Sequence, residues 1–271
     1  MSETVHLTTG WEPDVAPDDT VLRRYVLHLA AQLTSAAEAA GGRVERTVDV
    51  LCADSGHPTG LFNAAVLLRP PAPDRWDDVL DRIEDFYAAS GTGTVLLWSP
   101  WPTPDLRGRG WQLEGHPPLL IRPPGGPVPA AVHTVDVLEA TDRRTFDDWT
   151  RTAIAGFPLR ELQDRPGARV VDERLLHDPR WRFWVAYDRD APVAAGTVFT
   201  DIGMAQLALA TTLPQARGRG AWYALVRARL LAAPDLLVGG IFSDDSRPGI
   251  ERLDFLPISR FSLWHRPRPP T

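Results

Sequence analysis

Runs of apolar residues along the chain predict two successive sets of helices and strands. Apolar residues at helical spacing follow Thr20 and Pro73–Asp74, which are residues typical of the first positions of a helix. Short apolar runs elsewhere indicate strands. In the first half the predicted elements are a helix after Thr20, strands at 44–52 and 62–68, a helix from Pro73, and strands at 94–98 and 111–122. In the second half they are a strand at 132–138, a helix from Thr141–Asp142, strands at 183–187, 193–199 and 205–211, a helix at 220–233, a strand at 236–242, a short helix at 247–252 and a strand at 255–264.

A segment rich in proline and glycine separates the two sets of elements. Residues 123–129 contain four prolines and two glycines, which neither a helix nor a central strand accommodates. This segment predicts a linker between a domain at 1–122 and a domain at 130–271. The two halves also resemble each other at a shift of about 144 residues, which indicates a duplicated domain; the matched pairs are Pro70 with Pro214, Ser99 with Ser243, and Trp111 with Phe255.

Composition narrows the possible functions. The net charge is −6 and all 29 cations are arginine, so neither nucleic-acid binding through a basic face nor a lysine Schiff base is expected. The single cysteine, Cys52, excludes an internal disulfide and a multi-cysteine metal site. Residues 1–19 are acidic without an apolar core, and no stretch approaches the ~20 apolar residues of a membrane span. We therefore expect the protein to be a cytoplasmic monomer or homodimer that binds neither a metal ion nor a membrane.

The most informative segment runs from residue 207 to residue 222. An apolar strand pattern leads into Arg217–Gly218–Arg219–Gly220, and a helix pattern follows. The first turn of a helix presents unpaired N–H groups and partial positive charge, glycine lets the backbone approach a ligand closely, and arginine adds charged donors. The segment therefore predicts a pyrophosphate site. The same tetrapeptide at 107–110 lies between two predicted strands, and there we predict only a turn.

The loop resembles the acyl-CoA loop of the GNAT-type N-acyltransferases. Their pattern Q/R-x-x-G-x-G/A is matched by Gln215, Gly218 and Gly220, and residues 243–255 resemble the family's last strand–helix–strand corner. The resemblance implies an α/β (α+β) fold of two tandem GNAT-like domains, each a mixed, mostly antiparallel sheet flanked by helices. It also implies a sheet that is splayed at its centre. The cofactor-binding residues implied are Leu209, Ala210, Thr211, Leu213, Gln215, Ala216, Arg217, Gly218, Arg219, Gly220, Ala221, Ser243, Arg247 and Ile250.

The chemistry implied is direct attack of an amine on the thioester of acetyl-CoA. A backbone N–H near Ala208–Leu209 would polarise the acyl carbonyl. The chain departs from the family at Ile250, where the family has a tyrosine acid, and at Met204, where some members have a glutamate. Carboxylates at Glu161, Asp172, Glu173 and Asp201 are candidates for a base, and Asp244 and Asp245 are the preferred ones because they follow the strand that borders the cofactor.

The resemblance thus predicts an acetyl-CoA-dependent N-acetyltransferase acting on the amine of a small molecule or peptide. The alternative is a non-catalytic acyl-CoA-binding or sensing protein of the same fold, and a third reading is a scaffold that no longer binds CoA. In the first half, residues 70–74 replace the loop with three prolines, which lack N–H groups, and with Asp74, which adds negative charge. We therefore expect the first half to be a degenerate domain without a cofactor.

Overall fold

A computed structural model describes residues 20–90, 93–128, 130–131, 134–157, 159–163, 165 and 167–267. The acidic segment 1–19 and parts of the predicted linker and of the predicted strand 132–138 lie outside these residues. The helices are α1 Val21–Ala39, α2 Trp76–Ala88, α3 Arg143–Gly156, α4 Arg160–Gln163, α5 Ala221–Leu231 and α6 Arg247–Glu251. The strands are β1 Arg43–Arg46, β2 Val50–Asp54, β3 Asn63–Leu67, β4 Val95–Ser99, β5 Gln112–Gly115, β6 Pro118–Arg122, β7 Asp136–Glu139, β8 Trp181–Asp188, β9 Ala191–Asp201, β10 Met204–Thr212, β11 Leu237–Ile241, β12 Leu256–Arg260 and β13 Ser262–Arg266.

Side-chain caps start two of the long helices where the sequence predicts them. Thr20 Oγ1 accepts a hydrogen bond of 3.0 Å from Arg23 N, and the Asp142 carboxylate accepts one of 2.8 Å from Thr145 N. Each cap satisfies an N–H that the helix itself leaves unpaired. The helix predicted from Pro73 starts slightly later, because a short 3-10 turn at Pro73–Arg75 precedes α2.

The strands form two mixed, mostly antiparallel sheets. The first sheet has the order β1-β2-β3-β4-β13-β5, and the second has the order β12-β6-β11-β10-β9-β8-β7. Each contains one parallel pair, β3 with β4 in the first sheet and β10 with β11 in the second. The predicted fold class is therefore confirmed.

Each sheet takes one strand from the other half of the chain. The predictions of a single strand at 111–122 and at 255–264 are wrong: each run forms two strands, and the second of them, β6 or β13, crosses into the opposite sheet. The two crossing points lie against each other, since Phe261 N donates to Pro117 O at 3.0 Å. A boundary between residues 122 and 130 therefore does not separate the strands of one sheet from those of the other.

The two halves also share one hydrophobic core. Helix α1 lies between the sheets, where it contacts β1, β2 and β3 of the first sheet and β9 and β10 of the second. Its buried residues belong to a single cluster with residues of β2, β3, α3, β8 and β9. Helix α2 packs on the other face of the first sheet and α5 on the other face of the second. No helix within the described ranges is both long enough and apolar enough to cross a membrane.

Candidate functional site

The second sheet opens at its centre, between β10 and β11. These strands are paired only from Met204–Gln206 to Leu237–Gly239. Beyond that point β10 continues along β9 as far as Thr212, whereas β11 stays paired with β6. The strands therefore diverge into a V-shaped opening, as the resemblance implies.

A β-bulge lies in β10 where the opening begins. Ala208 is paired with Thr197 and Thr211 with Ala195, so two residues of β10 face the single Gly196 of β9. One of the two, Leu209, has φ of +47°, a conformation that residues other than glycine rarely adopt. The bulge bends β10 away from β11. Strand β3, the equivalent strand of the first sheet, pairs with β2 without a register shift.

A cleft of about 500 Å³ occupies the outer end of the V-shaped opening. It lies between the last residues of β10, the loop that leads into α5, and the segment around α6. We call it the cofactor cleft. Its lining residues are Ala210, Thr211, Thr212, Ala216, Arg217, Gly218, Gly220, Ala221, Trp222, Ser243, Asp245, Ser246, Pro248, Gly249 and Arg252.

The loop before α5 brings the start of a helix to one end of the cofactor cleft. Gly218 and Gly220 have φ of +73° and +86°, values that favour glycine, and they turn the chain into the helix. Gly220 is the N-terminal cap of α5 and provides no side-chain hydrogen bond, so the first N–H groups of the helix are available to a ligand. The partial positive charge of the helix end favours an anion at this position.

Two arginines add positive charge to the same cleft. Arg217 and Arg252 line it, and neither forms a salt bridge with a carboxylate among the described residues. Arg219 points elsewhere, with its guanidinium 3.5 Å from Asp188. Arg247 is bonded to Glu251 at 2.6 Å and does not line the cleft.

The second copy of the Arg-Gly-Arg-Gly tetrapeptide is a structural turn. It forms a 3-10 turn at Arg107–Arg109 between β4 and β5. Arg109 is bonded to carboxylates of α2 at Asp77, Asp81 and Glu84. Its guanidinium therefore ties the turn to the helix and is not available to a ligand. The prediction of a turn at 107–110 is confirmed.

The structure brings together eight of the predicted cofactor residues in the cofactor cleft: Ala210, Thr211, Ala216, Arg217, Gly218, Gly220, Ala221 and Ser243. The others lie outside its lining: Leu209, Leu213, Gln215, Arg219, Arg247 and Ile250. Ile250 is buried in the core on the α5 side of the sheet, which explains an apolar residue at this position. The sequence did not single out two further lining residues, Trp222 and Arg252. Trp222 lies in the first turn of α5, directly after the glycine–arginine loop, and Arg252 directly follows α6, so their places next to the two motifs could have indicated them.

The preferred carboxylates differ in their surroundings. Asp244 forms a two-point salt bridge with Arg260, at 2.6 and 3.1 Å, and this pairing lowers the pKa of Asp244. A carboxylate held in this way is a weak base, which argues against Asp244 as the group that accepts the amine proton. Asp245 lines the cofactor cleft. In the described part of the chain, no three His, Cys, Asp or Glu side chains form a group that could hold a metal ion.

Three of the other four candidate carboxylates are paired with arginines. Asp172 is bonded to Arg174, which lowers the pKa of Asp172, and Glu173 lies 2.9 Å from Arg169. Asp201 lies 3.5 Å from Arg180. Glu161 lies on α4, outside the cofactor cleft.

Polar side chains of α1 cover the inner end of the V-shaped opening on the face opposite α5. Gln206 of β10 donates to Gln32 at 2.9 Å, and His28 Nδ1 lies 3.1 Å from Asp201 O. Burial lowers the pKa of His28 to about 4, so this imidazole is neutral at pH 7. Tyr25 lies on the same helix face, fully buried. The sequence reasoning missed this group because its members meet only through the packing of the two halves.

No family model matches the chain, and no protein with a curated description matches it. Several solved structures do. A GCN5-related N-acetyltransferase from Kribbella flavida has a TM-score of 0.68 at 17% identity, covering 92% of this chain and 96% of that one. A putative acetyltransferase from the GNAT family of Novosphingobium aromaticivorans has a TM-score of 0.56 at 18% identity, covering 92% and 99%. A GCN5-related N-acetyltransferase from Sphaerobacter thermophilus has a TM-score of 0.52 at 12% identity, covering 92% of this chain and 94% of that one. The chain therefore has the fold of these GNAT acetyltransferases.

Proposed function

We propose that the protein is an acetyl-CoA-dependent N-acetyltransferase whose acceptor is the amine of a small molecule or peptide. One observation carries this proposal: the V-shaped opening in the second sheet leads directly to the N-terminus of α5 and to the glycine–arginine loop before it. The amides of pantetheine fit the unpaired edge of β10. The pyrophosphate fits the N–H groups of residues 218–221, since those of Ala216 and Arg217 already donate to Leu213 O and Pro214 O.

The bulge in β10 supports a role in the chemical step. The acyl carbonyl would lie near Ala208–Leu209, where the bulge leaves the backbone without a regular partner in the sheet. A backbone N–H there stabilises the oxyanion that develops when the amine attacks the carbonyl carbon and the C–S bond breaks. The departing thiol has an ordinary pKa of about 8.5, so it leaves without a dedicated acid at Ile250.

The acceptor amine loses its proton to solvent in this scheme. Asp244 is paired with Arg260, and Asp245 lies in the cofactor cleft, on the phosphate side of the V-shaped opening. Binding the amine beside the thioester supplies much of the rate acceleration. We therefore assign catalysis to the positioning of the amine beside the thioester and to the stabilisation of the oxyanion by the backbone, rather than to a strong base.

The first half carries no cofactor in this proposal. Its strand β3 is paired with β2 without a bulge, and the segment before α2 contains Pro70, Pro71 and Pro73 in place of the loop glycines. Its contribution is to supply α1, which covers the inner end of the V-shaped opening, and strand β6, which borders β11.

A non-catalytic acyl-CoA sensor is the second candidate, and Ile250 at the tyrosine position favours it. Incubation with acetyl-CoA and a panel of amines, with release of free thiol as the readout, separates the two. Thiol release that depends on an amine supports the transferase. Tight CoA binding with no release on any amine favours the sensor.

The loop itself is tested by a matched pair of substitutions, Gly220→Asp and Gly110→Asp. Both glycines end an Arg-Gly-Arg-Gly tetrapeptide and have nearly the same φ, +86° and +82°. The backbone strain is therefore similar, but only Gly220→Asp places a carboxylate at the helix end. We expect Gly220→Asp to lose CoA binding and Gly110→Asp to keep it. Equal binding by both variants would remove the loop from the account.

A further inference from the structure

One part of the cofactor cleft has no role in the scheme above. The end of β10 accounts for pantetheine, and the loop before α5 accounts for the pyrophosphate. The lining also includes Trp222, Pro248, Gly249 and Arg252, which lie on α5 and around α6. We call these four residues the outer wall of the cofactor cleft. They offer an aromatic ring, a proline ring and a guanidinium, so the outer wall suits a ligand group that is both aromatic and anionic.

The Trp222 ring is held in place by a glycine of α6. A Cβ atom placed on Gly249 would lie 2.9 Å from Cη2 of the indole, and 3.3 and 3.5 Å from Cζ3 and Cζ2. A larger residue at position 249 would therefore displace the ring. Trp222 packs on the edge of the core on the α5 side of the second sheet and is only partly buried. Part of its surface thus remains open to the cofactor cleft, where a ligand can reach it.

Arg252 lies beside this ring. It follows Gly249 by three residues, and the backbone is still helical at Arg252, so the two positions share one face of the turn. Arg247 is bonded to Glu251, whereas no salt bridge in the described part of the chain engages Arg252. The outer wall therefore combines an aromatic surface with a positive charge one turn away.

The direction of the cofactor decides which of its groups reaches the outer wall. In CoA the pyrophosphate joins pantetheine to adenosine, so these two parts leave it in opposite directions. With pyrophosphate on the N–H groups of residues 218–221 and pantetheine along β10, the adenosine is left with the remaining part of the cleft. Trp222 is the residue that directly follows those N–H groups. A purine stacks well on an aromatic ring, and a guanidinium binds a phosphate well.

We propose that the outer wall binds the nucleotide end of the acyl donor, with adenine on Trp222 and the 3′-phosphate on Arg252. This proposal rests on the proposed function and specifies its donor class. That class is free acyl-CoA, rather than an acyl group carried on the phosphopantetheine of a carrier protein. A carrier protein presents the same pantetheine on a single phosphate without a nucleotide, so it would leave the outer wall empty.

Calorimetric titration with CoA, dephospho-CoA and phosphopantetheine tests the adenine site without requiring turnover. The wild type should bind phosphopantetheine at least about tenfold more weakly than CoA. Trp222→Leu should raise the Kd for CoA and for dephospho-CoA by about tenfold, a usual effect of losing a stacked aromatic ring, and leave that for phosphopantetheine unchanged. Trp76→Leu is the control, because Trp76 begins α2 in the first half and is also partly buried. It should leave all three Kd values unchanged.

The same titrations test the phosphate site. Arg252→Gln should raise the Kd for CoA by about fivefold at low salt, because a charged partner of the 3′-phosphate is lost. Dephospho-CoA lacks that phosphate and serves as the control ligand, so its Kd should stay at the wild-type value. An equal loss of affinity for CoA and for dephospho-CoA would overturn the assignment of Arg252.

The ratio of Kd values within one variant separates ligand recognition from a general loss of folded protein. Trp222→Phe keeps an aromatic ring and should keep most of the affinity for CoA. If Trp222→Leu lost affinity equally for CoA and phosphopantetheine, the adenine site would be overturned and the proposed function would stand. The same conclusion would follow if the wild type bound phosphopantetheine as tightly as CoA. Failure of the wild type to bind any of the three ligands would overturn both.

Discussion

The side-chain amide of Gln206 donates a hydrogen bond of 2.9 Å to the side chain of Gln32, 174 positions earlier in the chain. Gln206 lies on β10 at the inner end of the V-shaped opening, and Gln32 lies on α1. Both side chains are buried. The helix of the first half is therefore fixed to the strand that carries the proposed chemistry, and the two halves depend on each other for stability.

A double-mutant cycle at this pair tests the dependence. Each single change, Gln32→Leu or Gln206→Leu, leaves one buried amide without its partner and should lower the free energy of unfolding by about 1–3 kcal/mol. The double variant should lose clearly less than the sum of the two, because no amide is then left unpaired. Urea unfolding measures all three. Strictly additive losses would show that the bond contributes nothing to the docking of α1.

Stability should fall as the pH is lowered from about 6.5 to about 4, and His28 should account for part of the fall. Burial lowers the pKa of His28 to about 4 in the fold, so the unfolded chain takes up a proton in this range before the folded chain does. The expected loss from this group is about 1.4 kcal/mol per pH unit. His57, whose pKa burial also lowers, acts in the same direction. Unfolding of His28→Asn at several pH values should show a shallower slope than the wild type. Parallel slopes would contradict the assignment.

Removing the charge of Asp245 should strengthen CoA binding. Asp245 shares the cofactor cleft with Arg217 and Arg252, so its carboxylate repels the phosphates. We expect Asp245→Asn to lower the Kd for CoA by about twofold to fivefold at low salt, an effect that shrinks at high salt. Calorimetric titration at two salt concentrations measures it, with Asp244→Asn as the control. Loss of turnover in Asp245→Asn with intact CoA binding would instead make Asp245 the base.

Asp254→Gly should stabilise the fold. Asp254 is exposed and has φ of +63°, a strained conformation for any residue with a Cβ. Glycine removes the strain but loses more backbone entropy on folding, so the net gain should be at most about 1 kcal/mol. Asp254→Ala, which keeps the Cβ, should give no gain. Thermal unfolding compares the two, and a lower Tm for Asp254→Gly than for Asp254→Ala would contradict the explanation.

Local patterns in the sequence predict much of this fold, and tertiary pairing accounts for what they miss. The caps at Thr20 and Asp142, and the contrast between the two Arg-Gly-Arg-Gly copies, depend on neighbouring residues and are readable from the sequence. The exchange of β6 and β13 is not. Each continues an apolar run that already forms one strand, and which sheet receives it is decided by contacts more than a hundred residues away in the chain, such as that between Phe261 and Pro117.

The candidate site divides in the same way. The loop at 215–221 has a local signature, because glycines with positive φ must come directly before the helix they start. His28 and Gln32 carry no such signature. They lie on an ordinary amphipathic helix of the other half, and only the packing of α1 between the two sheets brings them to the V-shaped opening.

A crystal structure of the protein grown with acetyl-CoA tests the central claim most directly. The account predicts one acetyl-CoA per chain, with its pyrophosphate on residues 218–221, its pantetheine along β10 between β10 and β11, and its carbonyl near Leu209. The first half should contain none. Acetyl-CoA bound near Pro70–Asp74, or bound anywhere outside the V-shaped opening of the second sheet, would contradict it.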